Sequence, residues 1–127
     1  MEQSTLDLMN NLLKAQAIFE RFRKNMKDDQ DQAGAVQIFK ICYELSWKIM
    51  KRILATQGIE STAPRDIFRK AAAAKLIDNP EEWFGFIEKR HLTSYTYEQE
   101  NLDAIVAAFD SFSVELNKAI EKMKYLV

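Results

Sequence analysis

The chain has 127 residues, 47% of them hydrophobic and 29% charged, with a formal net charge of -1; this balance lets one domain bury a core under a charged surface. Three glycines and two prolines are too few for the tight turns of a many-stranded β protein, and a charge so near zero excludes a global field that would recruit nucleic acid or an anionic membrane. Cys42 is the only cysteine, which excludes an internal disulfide. The start lacks a basic segment followed by an apolar run, and no stretch approaches the roughly 18 apolar residues of a membrane span. The expectation is a single domain over residues 1–127, all-α, in the reducing cytoplasm and away from membranes.

The pattern is helical nearly throughout. Leu8, Leu12, Ala15, Phe19, Phe22 and Met26 recur at spacings of four and three and mark the buried face of a first helix, with Ser4 and Asp7 as its cap. The charged stretch Lys27 to Gln32 breaks that stripe and reads as the first connection. A second helix runs from about Ala33 to Gln57, with Gly58 as its stop. Its polar residues form one narrow stripe, Gln37, Lys40, Glu44, Lys48 and Lys51, within which Lys40, Glu44 and Lys48 are spaced to pair at i,i+4. A helix with so narrow a polar face buries more than one side. One side faces its own bundle, and the other, with Ile41, Tyr43 and Trp47, is expected at the interface of a homodimer.

Pro64 opens a short helix that ends by about Leu76. Asn79 as cap and Pro80 at the first position start a third main helix, which ends near Arg90. Thr96 and Gln99 have the spacing of a capping box for the last helix, whose seam is Leu102, Ile105, Phe109, Phe112, Leu116, Ala119, Met123 and Leu126. The whole reads as an up-and-down four-helix bundle with an extra short helix.

Few residues offer chemistry. His91 is the only histidine, so no Cys/His cluster can complete a metal site, and neither a metal nor a cofactor is expected. Trp47 and Trp83 read as packing residues. Arg65, Arg69, Lys70 and Lys75 make a local basic cluster on the short helix; a solvated face is the bland reading, and contact with phosphate or an acidic partner is the functional one. The segment from Lys89 to Tyr97 gathers Arg90, His91, Tyr95 and Tyr97 between two helices. An arginine at a helix end facing the free amides of the next helix start suits an anion, although an ordinary capped turn explains the same composition.

Phe39-Lys40-Ile41-Cys42-Tyr43-Glu44-Leu45-Ser46-Trp47-Lys48, Pro64-Arg65-Asp66, Leu76-Ile77-Asp78 followed by Trp83, and the run from Arg90 to Tyr97 together resemble the HEPN superfamily. Within it they resemble the nucleotidyltransferase substrate-binding proteins, which include the HepT toxins, and the resemblance runs from about residue 5 to residue 125. It implies a HEPN-like helical dimer and a partner encoded nearby, a minimal nucleotidyltransferase called MntA in toxin–antitoxin pairs. Active members carry Arg-x4-His-x-Tyr for metal-independent RNA cleavage, and in HepT-type pairs the partner adds AMP to the motif tyrosine and silences the toxin. By this resemblance Arg90 is the motif arginine and Tyr97 the nucleotidylation acceptor, but Tyr95 stands where the motif has histidine. Imidazole titrates near pH 6.5 and exchanges protons at neutral pH, whereas a phenol titrates near pH 10 and is a poor base there. The reading is therefore a partner subunit with a degenerate RNase site made of Arg90, His91 and Tyr95, binding RNA or nucleotide without strong cleavage. Two alternatives stand beside it: an active RNase toxin in which His91 moves the proton, and a purely structural helical dimer.

Overall fold

The computed structural model describes residues 3–127. Its six α-helices are α1 (Thr5–Arg23), α2 (Asp29–Thr56), α3 (Pro64–Ala73), α4 (Pro80–Leu92), α5 (Gln99–Ala107) and α6 (Phe109–Met123), with a 3-10 turn at Thr93–Tyr95 between α4 and α5. Four long members, α1, α2, α4 and the α5–α6 pair, form the all-helical bundle, and α3 is the extra short helix against α2 and α4.

The helix starts follow local chemistry. Ser4 and Asp7 form a reciprocal capping box on α1, and the Asn79 side chain accepts the Glu81 N–H, with Pro80 behind it, at the start of α4. Gly58 takes φ +79° just past α2, the left-handed conformation a glycine allows without a Cβ clash. Other boundaries differ from the sequence reading. Helix α2 begins at Asp29 rather than Ala33, because Asp28 accepts the Asp31 N–H at 2.9 Å and caps the first turn. The acidic run is thus a helix start, where carboxylates complement the exposed amides. Thr96 and Gln99 form no capping box: the N-cap of α5 is Glu98, with no side-chain cap bond, and the Gln99 amide donates to Asp103 instead. The last helix is also interrupted at Ala108, where the turn tightens to a bond from its N–H to the Ile105 carbonyl at 3.0 Å.

The core is one continuous cluster fed by every helix, and its centre is aromatic. The Phe112 ring meets Phe39 at 4.8 Å, Phe86 at 5.0 Å, Phe19 at 5.5 Å and Trp83 at 5.9 Å between centroids, tying α6 to α2, α4 and α1. Such edge-to-face contacts add about 0.5–1.5 kcal/mol per pair to the burial itself. Outside the core α1 and α6 run antiparallel, joined by polar rungs at Gln16–Asn117, Glu20–Ser113 and Arg23–Asp110. Burial of Glu20 opposes its ionisation, but hydrogen bonds from Ser113 and Arg23 and the charges of Arg23 and Lys24 outweigh it and hold the carboxyl below its ordinary range. Among the described residues no helix is long and apolar enough to cross a membrane.

Candidate functional site

Helix α4 carries Arg90 and His91 in its last turn, so His91 is helical rather than part of a loop. Position 90 of α4 faces α2, and the Arg90 Nε donates to Glu44 Oε1 at 2.9 Å. Its Nη1 donates to Thr93 Oγ1 at 3.1 Å, while the Thr93 hydroxyl donates to the Arg90 carbonyl at 2.6 Å and closes the end of α4. Glu44 also accepts the indole N–H of Trp47 at 3.1 Å. Its side chain and that of Arg90 are each about one-third exposed, which makes them a partly screened pair open to competition from an incoming anion.

His91, Tyr95 and Tyr97 form a row of rings. The His91 and Tyr95 centroids are 5.5 Å apart and those of Tyr95 and Tyr97 are 6.3 Å apart. All three are exposed, Tyr97 to 78%. The residues expected to share one site thus gather at one end of the bundle, but in two groups: among the described residues the polar partners of Arg90 are Glu44 and Thr93, not the tyrosines. The hollow beside this segment, about 340 Å³, takes Thr93 and Thr96 from it, with Asp29, Ala33, Val36, Gln37 and Lys40 of α2 and Gln99 and Leu102 of α5. Spacing gave no sign of Glu44 as a site residue, because its i,i+4 lysine neighbours offered a local explanation of its charge.

The other candidate residues divide. Tyr43 is buried at 3% exposure against Phe68, so it belongs to the protomer's own core and presents no face to a partner; burial raises its phenol above the ordinary range. Ile41 is 39% exposed and Trp47 is half-buried, both on the outer side of α2. On α3, Lys70 is engaged by Asp66 at 2.9 Å and by the Glu60 carbonyl, while Arg65 and Arg69 lie over the Phe84 ring at 4.5 and 5.5 Å. The short helix therefore offers two stacked guanidiniums rather than a cluster of free cations. Trp83, at 1% exposure, is core. Among the described residues no group of His, Cys, Asp or Glu is arranged to hold a metal ion.

The family model for nucleotidyltransferase substrate binding protein like domains matches residues 4–125. The chain belongs to that family. A Haemophilus influenzae protein named "Probable ribonuclease HepT" is 37% identical over 97 residues, 72% of this chain and 66% of its own length; the match spans just under two thirds of that relative. A solved Haemophilus influenzae structure, described as revealing the fold of a substrate binding domain of a nucleotidyltransferase, superposes with a TM-score of 0.82 at 31% identity, covering 91% of this chain and 98% of that one. A crystal structure from Thermus thermophilus superposes with a TM-score of 0.83 at 20% identity over 89% of this chain and 98% of its own, a likeness of fold alone. This HEPN-like membership accounts for the helical order and for the conjunction of α2 with the α4–α5 segment.

Proposed function

We propose that the chain is the homodimeric partner of a minimal nucleotidyltransferase, that Tyr97 is the group it presents for nucleotidyl transfer, and that its ribonuclease-type site binds phosphate but is nearly silent in cleavage. The observation that carries this reading is the place of Tyr95 between His91 and Tyr97 in the row of rings, where the resemblance to the family motif would put the histidine of active members. Cleavage of RNA needs one group to take the 2′-hydroxyl proton as that oxygen attacks phosphorus, and another to protonate the departing 5′-oxygen. A phenol at the key position does the first poorly at neutral pH. Arg90 remains to meet the phosphate, with Thr93 and Glu44 fixing its direction.

Tyr97 suits an acceptor because it projects into solvent, where a partner's active site can reach it. In the transfer its phenol oxygen attacks the α-phosphorus of a nucleoside triphosphate, the α–β phosphoanhydride bond breaks, pyrophosphate leaves and the phenol proton passes to a base of the partner enzyme. The dimer reading is supported by the outer face of α2, where Ile41 and Leu45 floor a hollow of about 390 Å³ flanked by Asn11, Lys40, Glu44 and Lys48. Apolar surface of this kind is what an interface between protomers covers.

Co-expression with the nucleotidyltransferase encoded beside it tests the reading. The two are expected to co-purify, and incubation with ATP is expected to add nucleotidyl mass to wild type and not to Tyr97→Phe. Separate elution, with no mass added to wild type, overturns it. A second reading, an active RNase using His91, is favoured by the imidazole lying 5.5 Å from the Tyr95 ring. The two part on metal-free cleavage: strong wild-type activity lost in His91→Ala supports the second.

A further inference from the structure

The hollow between α2 and the segment after α4 combines apolar and polar lining residues. Buried Val36 gives it an apolar floor flanked by half-buried Leu102 and exposed Ala33, and Asp29, Gln37, Lys40 and Thr96 are its free polar members. Among the described residues none of these four side chains makes a hydrogen bond or an ion pair, whereas the remaining polar members, Thr93 and Gln99, are taken by Arg90 and Asp103. An apolar floor with a few convergent polar groups is the anatomy of a small-ligand site, and its volume of about 340 Å³ falls at the lower end of the range such sites occupy.

Its position gives the ligand class. Thr93 is at once a wall of the hollow and the hydrogen-bond partner of Arg90 at 3.1 Å. We propose that this hollow receives the base of a nucleotide whose phosphate lies on Arg90, an inference that rests on the reading of Arg90 as a phosphate contact. A base lies flat against Ala33, Val36 and Leu102 and meets the rim with its polar edge, the way single nucleotides are read by proteins that take a base out of its stack. Asp29 can only accept hydrogen bonds when ionised, and Gln37 both accepts and donates. Every base offers such a pair a match, through the exocyclic amine of adenine, cytosine or guanine or through the ring N–H of uracil. Lys40, one turn from Gln37 on the polar stripe of α2, supplies a donor for a ring or ribose oxygen.

Titration calorimetry on the full chain, with AMP, CMP, UMP and inorganic phosphate as probes, tests this. AMP, CMP and UMP are each expected to bind about three- to tenfold tighter than inorganic phosphate, the scale of one or two net hydrogen bonds. Ala33→Trp fills the floor and is expected to bring AMP down to the affinity of phosphate while phosphate itself is unchanged. If circular dichroism shows that variant misfolded, Gln37→Ala decides instead, with an expected loss of about three- to tenfold for AMP and none for phosphate. Nucleotides that bind no tighter than phosphate, or AMP affinity untouched by these changes, overturn the base site; if Arg90→Ala still abolishes phosphate binding in that case, the phosphate role of Arg90 stands. If neither phosphate nor any nucleotide binds wild type, the Arg90 reading fails and the base site fails with it.

Discussion

Glu44 decides how the arginine of the site is presented. One carboxylate receives both the Arg90 Nε and the Trp47 indole N–H, so it fixes a cation and an aromatic from two different helices. It also competes with any incoming phosphate for the same guanidinium. Glu44→Gln keeps a side-chain acceptor and removes the charge. The expected outcome is phosphate binding about three- to tenfold tighter by calorimetry, with stability lowered by no more than about 1 kcal/mol in chemical unfolding, since a partly exposed ion pair contributes little net. Weaker phosphate binding in this variant makes Glu44 a positioning residue rather than a competitor. The sequence could not reveal the pair, because its members are separated by 46 positions and the lysines one turn away on α2 explained the carboxylate locally. Cys42 is the opposite case. Burial, with a smaller contribution from the Glu20 charge, pushes its thiol up to about 12, so it stays protonated and serves as core rather than as a nucleophile.

Among the elements, most boundaries written in side-chain chemistry were legible, the Asp28 cap of α2 being the exception, and those set by backbone competition were not. Ser4 with Asp7, Asn79 with Pro80, and Gly58 each mark an end where the structure has one. The Thr96–Gln99 spacing failed because the Tyr95 carbonyl captures the turn: it accepts the Glu98 N–H at 3.2 Å and the Asn101 side-chain amide at 3.1 Å, which moves the start of α5 onward. The break at Ala108 was hidden for a different reason. Its residue keeps right-handed dihedrals, φ -88° and ψ -7°, so the apolar period of the last helix passes through a single tightened turn unchanged. Two glycines test the helix chemistry in opposite directions. At Gly58 a Cβ would meet open space but the φ of +79° strains any side chain, so Gly58→Ala is expected to destabilise by about 1 kcal/mol. Gly85 sits inside α4 with open space around it, so Gly85→Ala is expected to stabilise by up to about 1 kcal/mol. Chemical denaturation of both variants checks the pair, and a shared sign contradicts it.

Across the whole molecule, the all-helical bundle was legible from apolar spacing, and Phe19 and Phe112, both placed by it, meet in the core at 5.5 Å, whereas Phe39, Phe86 and Trp83, which complete the cluster around Phe112, follow from no such spacing. The second helix was read as two-sided, and the structure divides that reading: Tyr43 turns inward, while Ile41 and Trp47 remain on the outer side of α2. Spacing could not separate these residues because α2 is apolar over most of its circumference, and only the direction of α3, which packs Phe68 on Tyr43, decides which flank is interior. The same packing brings α2 against the end of α4, so the bundle itself unites Glu44 with Arg90 and leaves the row from His91 to Tyr97 open to solvent. On the proposed reading, Arg90 meets an anion while Tyr95 stands where active members have the proton-transferring histidine, so this end of the bundle binds rather than cleaves. The rate of metal-free RNA cleavage by wild type, compared with Tyr95→His under the same conditions, tests this most directly. Slow or absent cleavage by wild type and a gain of about 10²-fold or more with histidine, the scale of a well-placed general acid–base, is the expected result; strong wild-type cleavage that Tyr95→His leaves unchanged contradicts it.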